Sequence, residues 1–318
     1  MKEIIVTGGS GQLGQAIKEI YLKNIFLFND KLNISFPEHT LFDITNPMCI
    51  DQYVQNRDIV CIINCAAYTD VNAAQIDDTV NIINVDGVSN LVDVCKKHDI
   101  FLVQISTDYV FNGSGTVKDE NNTIDLVPVN AYGASKLAAE TVIKDNLTKY
   151  SIIRTSWLYS KYAQNFVKTI IDKLIDNTIT FTKPLKVVYD QIGSPTYAKD
   201  LANFIMKYYA FEFTKENPDL KSGVFHYSNL GVVSWYDFSM AIKESLSHYV
   251  SLSGLDDIIP IRTEDLSTSC PRPKIGILSK EKTIETFNVT IPYWKDSLEG
   301  FMSGYIPEHI SLHDEFKV

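Results

Sequence analysis

The sequence has few cysteines, no long hydrophobic run and a deficit of basic charge. Five cysteines without a C-x-x-C pair argue against a disulfide framework or a zinc site, so we expect buried thiols. No stretch approaches the ~20 apolar residues of a membrane span, and no apolar signal segment follows the first residues. We therefore expect a cytoplasmic protein.

The charge balance excludes several classes of partner. The net charge of −10 repels phosphate backbones, so neither nucleic acid nor an anionic membrane is an expected partner. The six histidines are scattered without ligand-like spacing, so no metal site is expected. What remains is an ordinary globular enzyme with a small-molecule substrate, as a monomer or a homodimer.

The order of elements predicts an α/β fold. Apolar strand-like runs alternate with helical segments through the first half, which favours a doubly wound parallel sheet of the Rossmann type. A smaller C-terminal α/β substrate domain is expected to follow. We predict a dinucleotide-binding domain over 1–157, completed by 196–230, and a substrate domain over 158–195 and 231–310.

Strand two is the ambiguous element. The apolar run Ile25–Phe28 reads as a strand, whereas Leu32–Phe36 could be strand or loop. An acidic residue near the end of this strand would bind the adenosine ribose, and Asp30 is the candidate. Because Lys31 adjoins it, the choice between NADH and NADPH stays open. Other expected elements are helices over Thr79–His98 and Ala131–Tyr150 and an extended segment over Ile179–Tyr189.

A glycine loop joins the first strand to the first helix. Gly8, Gly11 and Gly14 have G-x-x-G-x-x-G spacing, with Gln12 and Leu13 between the last two. A dinucleotide pyrophosphate needs close backbone approach and the free N–H groups of a helix start. The loop therefore predicts a dinucleotide site of the short-chain dehydrogenase type.

A Y-x-x-x-K motif supplies candidate catalytic residues. Tyr132 and Lys136 lie four residues apart, so a helix presents both on one face. Carbonyl reduction needs a proton donor, and a neighbouring Lys together with oxidised nicotinamide would lower the pKa of the Tyr phenol. Thr107 follows a predicted strand, where doubly wound sheets bind ligands, and could contact the same carbonyl oxygen.

Nine motifs carry a family resemblance from about Ile4 to about Trp294. In chain order they are GGSGQLG, FDIT, INCAAYTDV, STDYVF, YGASK, RTSWLY, DQIGSPT, SWYDF and PRP. The chain resembles the dTDP-4-dehydrorhamnose reductase family of extended short-chain dehydrogenases. The resemblance implies NADPH- or NADH-dependent reduction of the C4 keto group of dTDP-4-dehydro-L-rhamnose, a step in making a cell-surface polysaccharide precursor.

The resemblance also implies roles for particular residues. Tyr132 would donate the proton, Lys136 would hold the nicotinamide ribose, and Thr107 would hydrogen-bond the keto oxygen. Further cofactor contacts are implied at Gly11, Gln12, Leu13, Asp43, Ile44, Ala67, Tyr68 and Thr69. Substrate contacts are implied at Ser106, Thr107, Trp157, Asn165 and Arg272.

The sequence departs from the family at two positions. A hydroxyl residue is common four positions after the Arg of the Arg-Pro motif, and this chain has Gly276 there. Some members bind magnesium through an acidic residue two positions past the last loop glycine, where this chain has Ala16. The substrate end and any magnesium site are therefore less well defined by the resemblance.

Three alternatives stay open. Another nucleotide-sugar reductase or epimerase would share the fold, as would a dehydratase. Dehydratases of this group carry Asp-Glu after the catalytic Thr, whereas Asp108-Tyr109 stands here, which favours reduction. A non-catalytic subunit similar to the beta subunit of methionine adenosyltransferase is the alternative outside enzymes.

Overall fold

A computed structural model describes residues 1–28, 31–180, 184–250, 258–266 and 270–315. Its main sheet contains parallel strands that lie side by side in the order β10-β5-β4-β3-β1-β2. They are β1 (Lys2–Thr7), β2 (Leu32–Ser35), β3 (Asp58–Asn64), β4 (Phe101–Thr107), β5 (Tyr150–Thr155) and β10 (Gly223–His226). This arrangement confirms the predicted doubly wound fold class.

Helices cover both faces of the main sheet. The helices of the first half are α1 (Gln12–Lys23), α2 (Ile25–Phe28), α3 (Pro47–Val54), α4 (Thr79–Asn81), α5 (Gly87–His98) and α6 (Ala131–Asn146). Successive strand residues point to opposite faces, so Ile4 packs in one core with α1 while Ile5 packs in the other with α3 and α5. The buried strands thus read as continuous hydrophobic runs.

The chain after β5 supplies the remaining elements. Its helices are α7 (Phe166–Thr180), α8 (Ala198–Ile205), α9 (Trp235–Leu246), α10 (Glu281–Phe287) and α11 (Trp294–Glu315). Its short strands are β6 (Leu158–Tyr159), β7 (Leu185–Val188), β8 (Ile192–Gly193), β9 (Thr196–Tyr197), β11 (Val233–Ser234), β12 (Ile258–Ile261) and β13 (Ile275–Gly276).

A separate hydrophobic core joins helices α7, α9 and α11. Helix α8 instead packs on α1 beneath the main sheet, and β10 adds to that sheet beside β5. The domain boundaries themselves stay a prediction. No helix within the described residues combines the length and hydropathy needed to cross a membrane.

The prediction of a strand over Ile25–Phe28 was wrong. Ile25–Phe28 forms a helical turn, in which Phe28 packs into the core while Phe26 is exposed. The strand is Leu32–Ser35, which pairs with β1 at the sheet edge. Four consecutive apolar residues do not separate a strand from a helical turn, because both can bury one or two of them.

Other helix boundaries also differ from the predictions. The expected Thr79–His98 helix contains a π-helical turn over Ile82–Asp86. The Ala131 helix ends at Asn146, four residues before the expected end, because the chain then enters β5. Ile179 and Thr180 belong to α7 and not to an extended segment.

Candidate active site

The glycine loop lies at the carboxyl end of β1 and turns directly into α1. Gly8 has a φ of +62°, and a Cβ added to Gly14 would lie 2.3 Å from the carbonyl oxygen of Gly8. Both positions therefore require glycine. Gly11 precedes the helix without a side-chain cap from any described residue, which leaves the first N–H groups of α1 available to an anion.

A cleft of about 520 Å³ opens above this loop. Besides the loop, it is lined by Ile44, Ala67, Thr69, Tyr132 and Lys136. A cavity of about 370 Å³ continues from the loop past the end of β2, along Lys18, Phe36 and His39. The resulting groove runs from the loop in two directions, as an extended dinucleotide would require.

A further cavity of about 320 Å³ meets the cleft at Tyr132. Thr107 and Trp157 line both spaces, so they stand at the junction. The further cavity also contains Asn165 and Arg272 in its lining. The candidate catalytic and substrate residues therefore lie around one continuous opening.

The predicted catalytic residues come together at this junction. Lys136 is buried, and its Nζ donates to the carbonyl oxygen of Ile105 at 2.7 Å. The Thr107 hydroxyl donates to Asp108 Oδ1 at 3.1 Å and accepts from the Tyr109 N–H at 3.2 Å. The Tyr132 ring packs edge-on against Tyr109, with centroids 5.9 Å apart.

The start of α6 is fixed by its cap and by a close approach to the turn that follows β4. The Asn130 side chain accepts from the Gly133 N–H at 2.8 Å and donates to the carbonyl oxygen of Pro271 at 2.9 Å. A Cβ on Gly133 would lie 2.2 Å from the carbonyl oxygen of Tyr109, so this position cannot carry a side chain. The cap places Tyr132 in the first turn.

Electrostatics in the protein alone keep the Tyr132 phenol protonated. Desolvation raises the pKa of Tyr132 to about 12, the negative charge of Asp108 adds to this, and the hydrogen bond with Thr107 opposes it. Desolvation lowers the pKa of Lys136 to about 8, against the opposing charges of Glu140 and Cys65. The lowering of the Tyr132 pKa that we expected from Lys136 and oxidised nicotinamide is therefore not a property of the protein alone.

Asp108 is the main residue that the sequence reasoning did not place in the site. Its carboxyl group is buried, and Oδ2 has no hydrogen-bond partner among the described residues. Desolvation raises the pKa of Asp108 to about 7, although hydrogen bonds from Thr107 and from backbone N–H groups oppose this. A Cβ on Gly276 would lie 2.4 Å from this oxygen, so the carboxylate faces the position where the family often has a hydroxyl.

Ser106 does not point its hydroxyl toward the substrate cavity. Its Oγ donates to Glu140 Oε1 at 2.6 Å, and Ser106 lines the cofactor cleft but not the further cavity. Glu140 lies on α6 and is fully buried with Arg154, which contacts both carboxylate oxygens at 2.9 and 2.6 Å. This buried ion pair ties α6 to the ends of β4 and β5.

Some predicted cofactor residues line the cleft and others do not. Ile44, Ala67, Thr69 and Leu13 line it, and Gln12 does so while its amide group contacts Leu158 and Ser160. Tyr68 turns away, since its hydroxyl donates to Asp77 at 2.9 Å.

Of the two acidic candidates for cofactor binding, Asp43 and Asp30, the structure describes Asp43. Asp43 holds the loop by accepting from the N–H and hydroxyl groups of Thr45 at 2.9 and 2.8 Å, and it does not line the cleft. Asp30 lies outside the described residues. Because β2 begins at Leu32, Asp30 precedes the strand, and Phe36 is the residue at its carboxyl end.

The predicted substrate residues all border the further cavity except Ser106. Trp157 stacks on Trp235, with ring centroids 3.5 Å apart. Asn165 donates to the carbonyl oxygen of Ser160 at 2.7 Å, and Arg272 donates to Asn72 Oδ1 at 3.3 Å. Trp235 had no assigned role, although the SWYDF motif contains it.

The part of the chain that the structure describes contains no group of three or more His, Cys, Asp or Glu side chains able to hold a metal ion.

Together, a doubly wound sheet, a glycine turn and a Thr-Tyr-Lys set at the junction define an oxidoreductase of the short-chain dehydrogenase class.

Comparison with known proteins identifies the family within this class. A family model described as the RmlD substrate binding domain matches residues 1–306, and the chain belongs to this family. The resemblance seen in the sequence motifs is thereby confirmed.

Named relatives and solved structures agree with this family. The chain is 31% identical to a dTDP-4-dehydrorhamnose reductase of Aggregatibacter actinomycetemcomitans, with 94% of this chain and 98% of the relative covered. It is 33% identical to the spore coat polysaccharide biosynthesis protein SpsK of Bacillus subtilis, with 95% and 97% covered. A dTDP-4-dehydrorhamnose reductase of Bacillus anthracis, solved in complex with NADP, superimposes with a TM-score of 0.82 at 35% identity, covering 96% and 100% of the two chains.

Proposed function

We propose that this protein reduces the C4 keto group of dTDP-4-dehydro-L-rhamnose to give dTDP-L-rhamnose, with NADPH or NADH as the reductant. The observation that carries the proposal is a protonated phenol, Tyr132, at the junction of a dinucleotide-shaped cleft and an aromatic cavity. Names of the relatives, which include dTDP-4-dehydrorhamnose reductases, supply the substrate. The product would serve cell-surface polysaccharide synthesis in the cytoplasm.

The residues present fit a nicotinamide dinucleotide. The glycine loop offers uncapped N–H groups for the pyrophosphate, and the groove extends from it toward Phe36 and toward Lys136. The buried Lys136 ammonium faces the cleft, where it can donate to ribose hydroxyl groups. When bound, the reduced nicotinamide supplies the hydride for C4.

Tyr132, Thr107 and Lys136 handle the proton. The Tyr132 phenol keeps its proton at neutral pH and can release it to the oxygen that becomes negative during reduction. The Thr107 hydroxyl, oriented by Asp108 and the Tyr109 N–H, can donate to the same oxygen once substrate replaces Asp108 as its acceptor. The positive charge of Lys136 then stabilises the phenolate left behind.

The further cavity suits a nucleotide-linked sugar. Its aromatic lining includes Trp157, Phe166 and Trp235, and Arg272 supplies a cation for the diphosphate. The Asn165 amide adds a polar group that can orient the sugar. A few local groups thus bind an anion despite the acidic charge of the whole chain.

The adenosine end favours NADPH over NADH. Phe36 stands at the carboxyl end of β2, where a carboxylate would bind the ribose hydroxyl groups of NADH. The Lys18 ammonium lies 5.9 Å from the centre of the Phe36 ring and lines the same cavity. An ammonium at this point can donate hydrogen bonds to the 2′-phosphate of NADPH.

The Tyr132→Phe variant tests the proposal. We expect turnover to fall by ~10²-fold or more, the usual effect of losing a general acid, while the Kd for NADPH stays nearly unchanged. Turnover is followed by NADPH absorbance with dTDP-4-dehydro-L-rhamnose, and the Kd by calorimetry.

Tyr209→Phe is the matched control, because Tyr209 is also buried and donates to Ser151 at 3.0 Å, away from the cleft. It should keep wild-type turnover. Full turnover in Tyr132→Phe would refute the mechanism. A wild-type protein that does not oxidise NADPH with this sugar but captures another protein stably would favour the regulatory-subunit alternative.

A further inference from the structure

The backbone of Trp157 has an uncommon conformation. Its φ is +48°, a left-handed value that a bulky side chain adopts only where the surroundings hold it. The residue lies at the junction of the cleft and the further cavity, beside Tyr132. Strain of this kind concentrates at functional sites, so the contacts that maintain it define the geometry of the junction.

Gly193 and Trp235 are the contacts that hold the Trp157 indole. A Cβ on Gly193 would lie 2.7 Å from the indole ring, so the ring rests directly on the Gly193 backbone. The ring of Trp235 stacks on the face of the Trp157 indole, with ring centroids 3.5 Å apart and an interplanar angle of 8°. Phe166 supports Trp235 in turn, with ring centroids 4.3 Å apart.

A small sheet brings these contacts together. Strand β8 carries Gly193, which pairs with Val233 of β11, and Trp235 begins the helix directly after β11. On its other side, Gly193 pairs with Gly276 of β13, the glycine that faces Asp108. The sheet therefore sets the position of Trp157 on one side of the junction and of Asp108 on the other.

We propose that Gly193 and Trp235 are positioning residues that fix the Trp157 indole as a platform for the sugar ring beside Tyr132. This inference rests on the proposed function. A flat apolar ring fixed on two sides can bind one face of a pyranose while polar groups of the cavity orient its hydroxyl groups. Both residues act through Trp157, and neither is assigned contact with the reacting atoms.

The Gly193→Ala variant is the direct test. The atoms that an added Cβ would meet belong to the indole, so the ring and not the backbone has to move. We expect the KM for the dTDP-sugar to rise about tenfold or more, since a displaced platform misplaces the substrate, while the Kd for NADPH changes less than about twofold. Gly300→Ala is the matched control, because an added Cβ there meets nothing within 4 Å.

Spectroscopy provides a readout that a merely structural role would not move. The chain has three tryptophans, and stacked parallel indoles give a coupled near-ultraviolet circular dichroism signal. Trp157→Phe assigns this signal and Trp294→Phe is the control. We expect Gly193→Ala to lose the signal at an unchanged unfolding midpoint. Trp235→Phe keeps a planar ring and should retain most of the substrate affinity, whereas Trp235→Leu should not.

Each contrary result overturns the inference. If Gly193→Ala loses the circular dichroism signal but keeps the wild-type KM, the Trp157 indole is not a platform for the sugar. If the variant retains the signal, Gly193 does not fix the indole. If Gly193→Ala raises the KM for the sugar and also lowers the cofactor affinity and the unfolding midpoint, Gly193 has a structural role only. If the wild-type protein does not reduce the sugar, the proposed function fails by itself, and calorimetric binding of dTDP-L-rhamnose to the same variants still measures the positioning.

Discussion

Replacing Asp108 by Asn should remove a pH-dependent loss of stability. The carboxyl group is buried, and its pKa is raised from 3.8 to about 7 by desolvation, against the opposing hydrogen bonds from Thr107 and the backbone. The native state therefore binds one proton more than the unfolded state between these pH values. Stability falls as the pH rises through this window, and the full penalty, about 4 kcal/mol, is present above pH 7.

The assay is urea unfolding of the wild-type protein and Asp108→Asn at several pH values from 5 to 8. Between pH 5 and the folded pKa, the free energy of unfolding of the wild-type protein should fall by about 3 kcal/mol relative to the variant. The reason is that one proton difference changes this free energy by about 1.4 kcal/mol per pH unit. Asp78→Asn, at an exposed carboxylate, should follow the wild-type pH dependence. Parallel curves for wild type and Asp108→Asn would show that Asp108 ionises normally and would refute the reasoning.

Three other substitutions test separate parts of the site. Lys136→Ala should lower turnover by about 10²-fold and also raise the Kd for NADPH, because one ammonium serves both the proton donor and the ribose; an unchanged Kd would contradict the second role. Glu140→Gln should lower the free energy of unfolding in urea by about 3–5 kcal/mol, because it leaves the buried Arg154 without its counter-charge. Lys18→Ala should weaken binding of NADPH but not of NADH in calorimetry, and equal losses for both would remove the proposed contact near Phe36.

Local spacing accounts for the parts of the site that the sequence predicts well. The glycine loop and the Tyr132 motif each lie within seven consecutive residues, so the position of a strand end and a helix start is enough to interpret them. Thr107 follows from the same logic, because it ends a buried strand. The main sheet is predictable because its strands are apolar along their whole length.

The remaining features depend on contacts between distant segments. Asp108 is buried and faces Gly276, which lies far along the chain, and the Trp157 stack requires β8 and β11 to pair. The position of the second strand was ambiguous in the sequence because it is a short edge strand that follows a helical turn of similar hydrophobicity. The role of Asp30 stays a prediction, because the residue lies outside the part of the chain that the structure describes.

Transfer of deuterium from the cofactor to the sugar tests the central claim most directly. NADPH that carries deuterium at the transferable position of its nicotinamide is incubated with the protein and dTDP-4-dehydro-L-rhamnose, and the product is examined by NMR. We predict deuterium on C4 of dTDP-L-rhamnose in the wild-type reaction and almost none in the same time with Tyr132→Phe. Unlabelled product, or deuterium on another carbon of the sugar, would contradict the account.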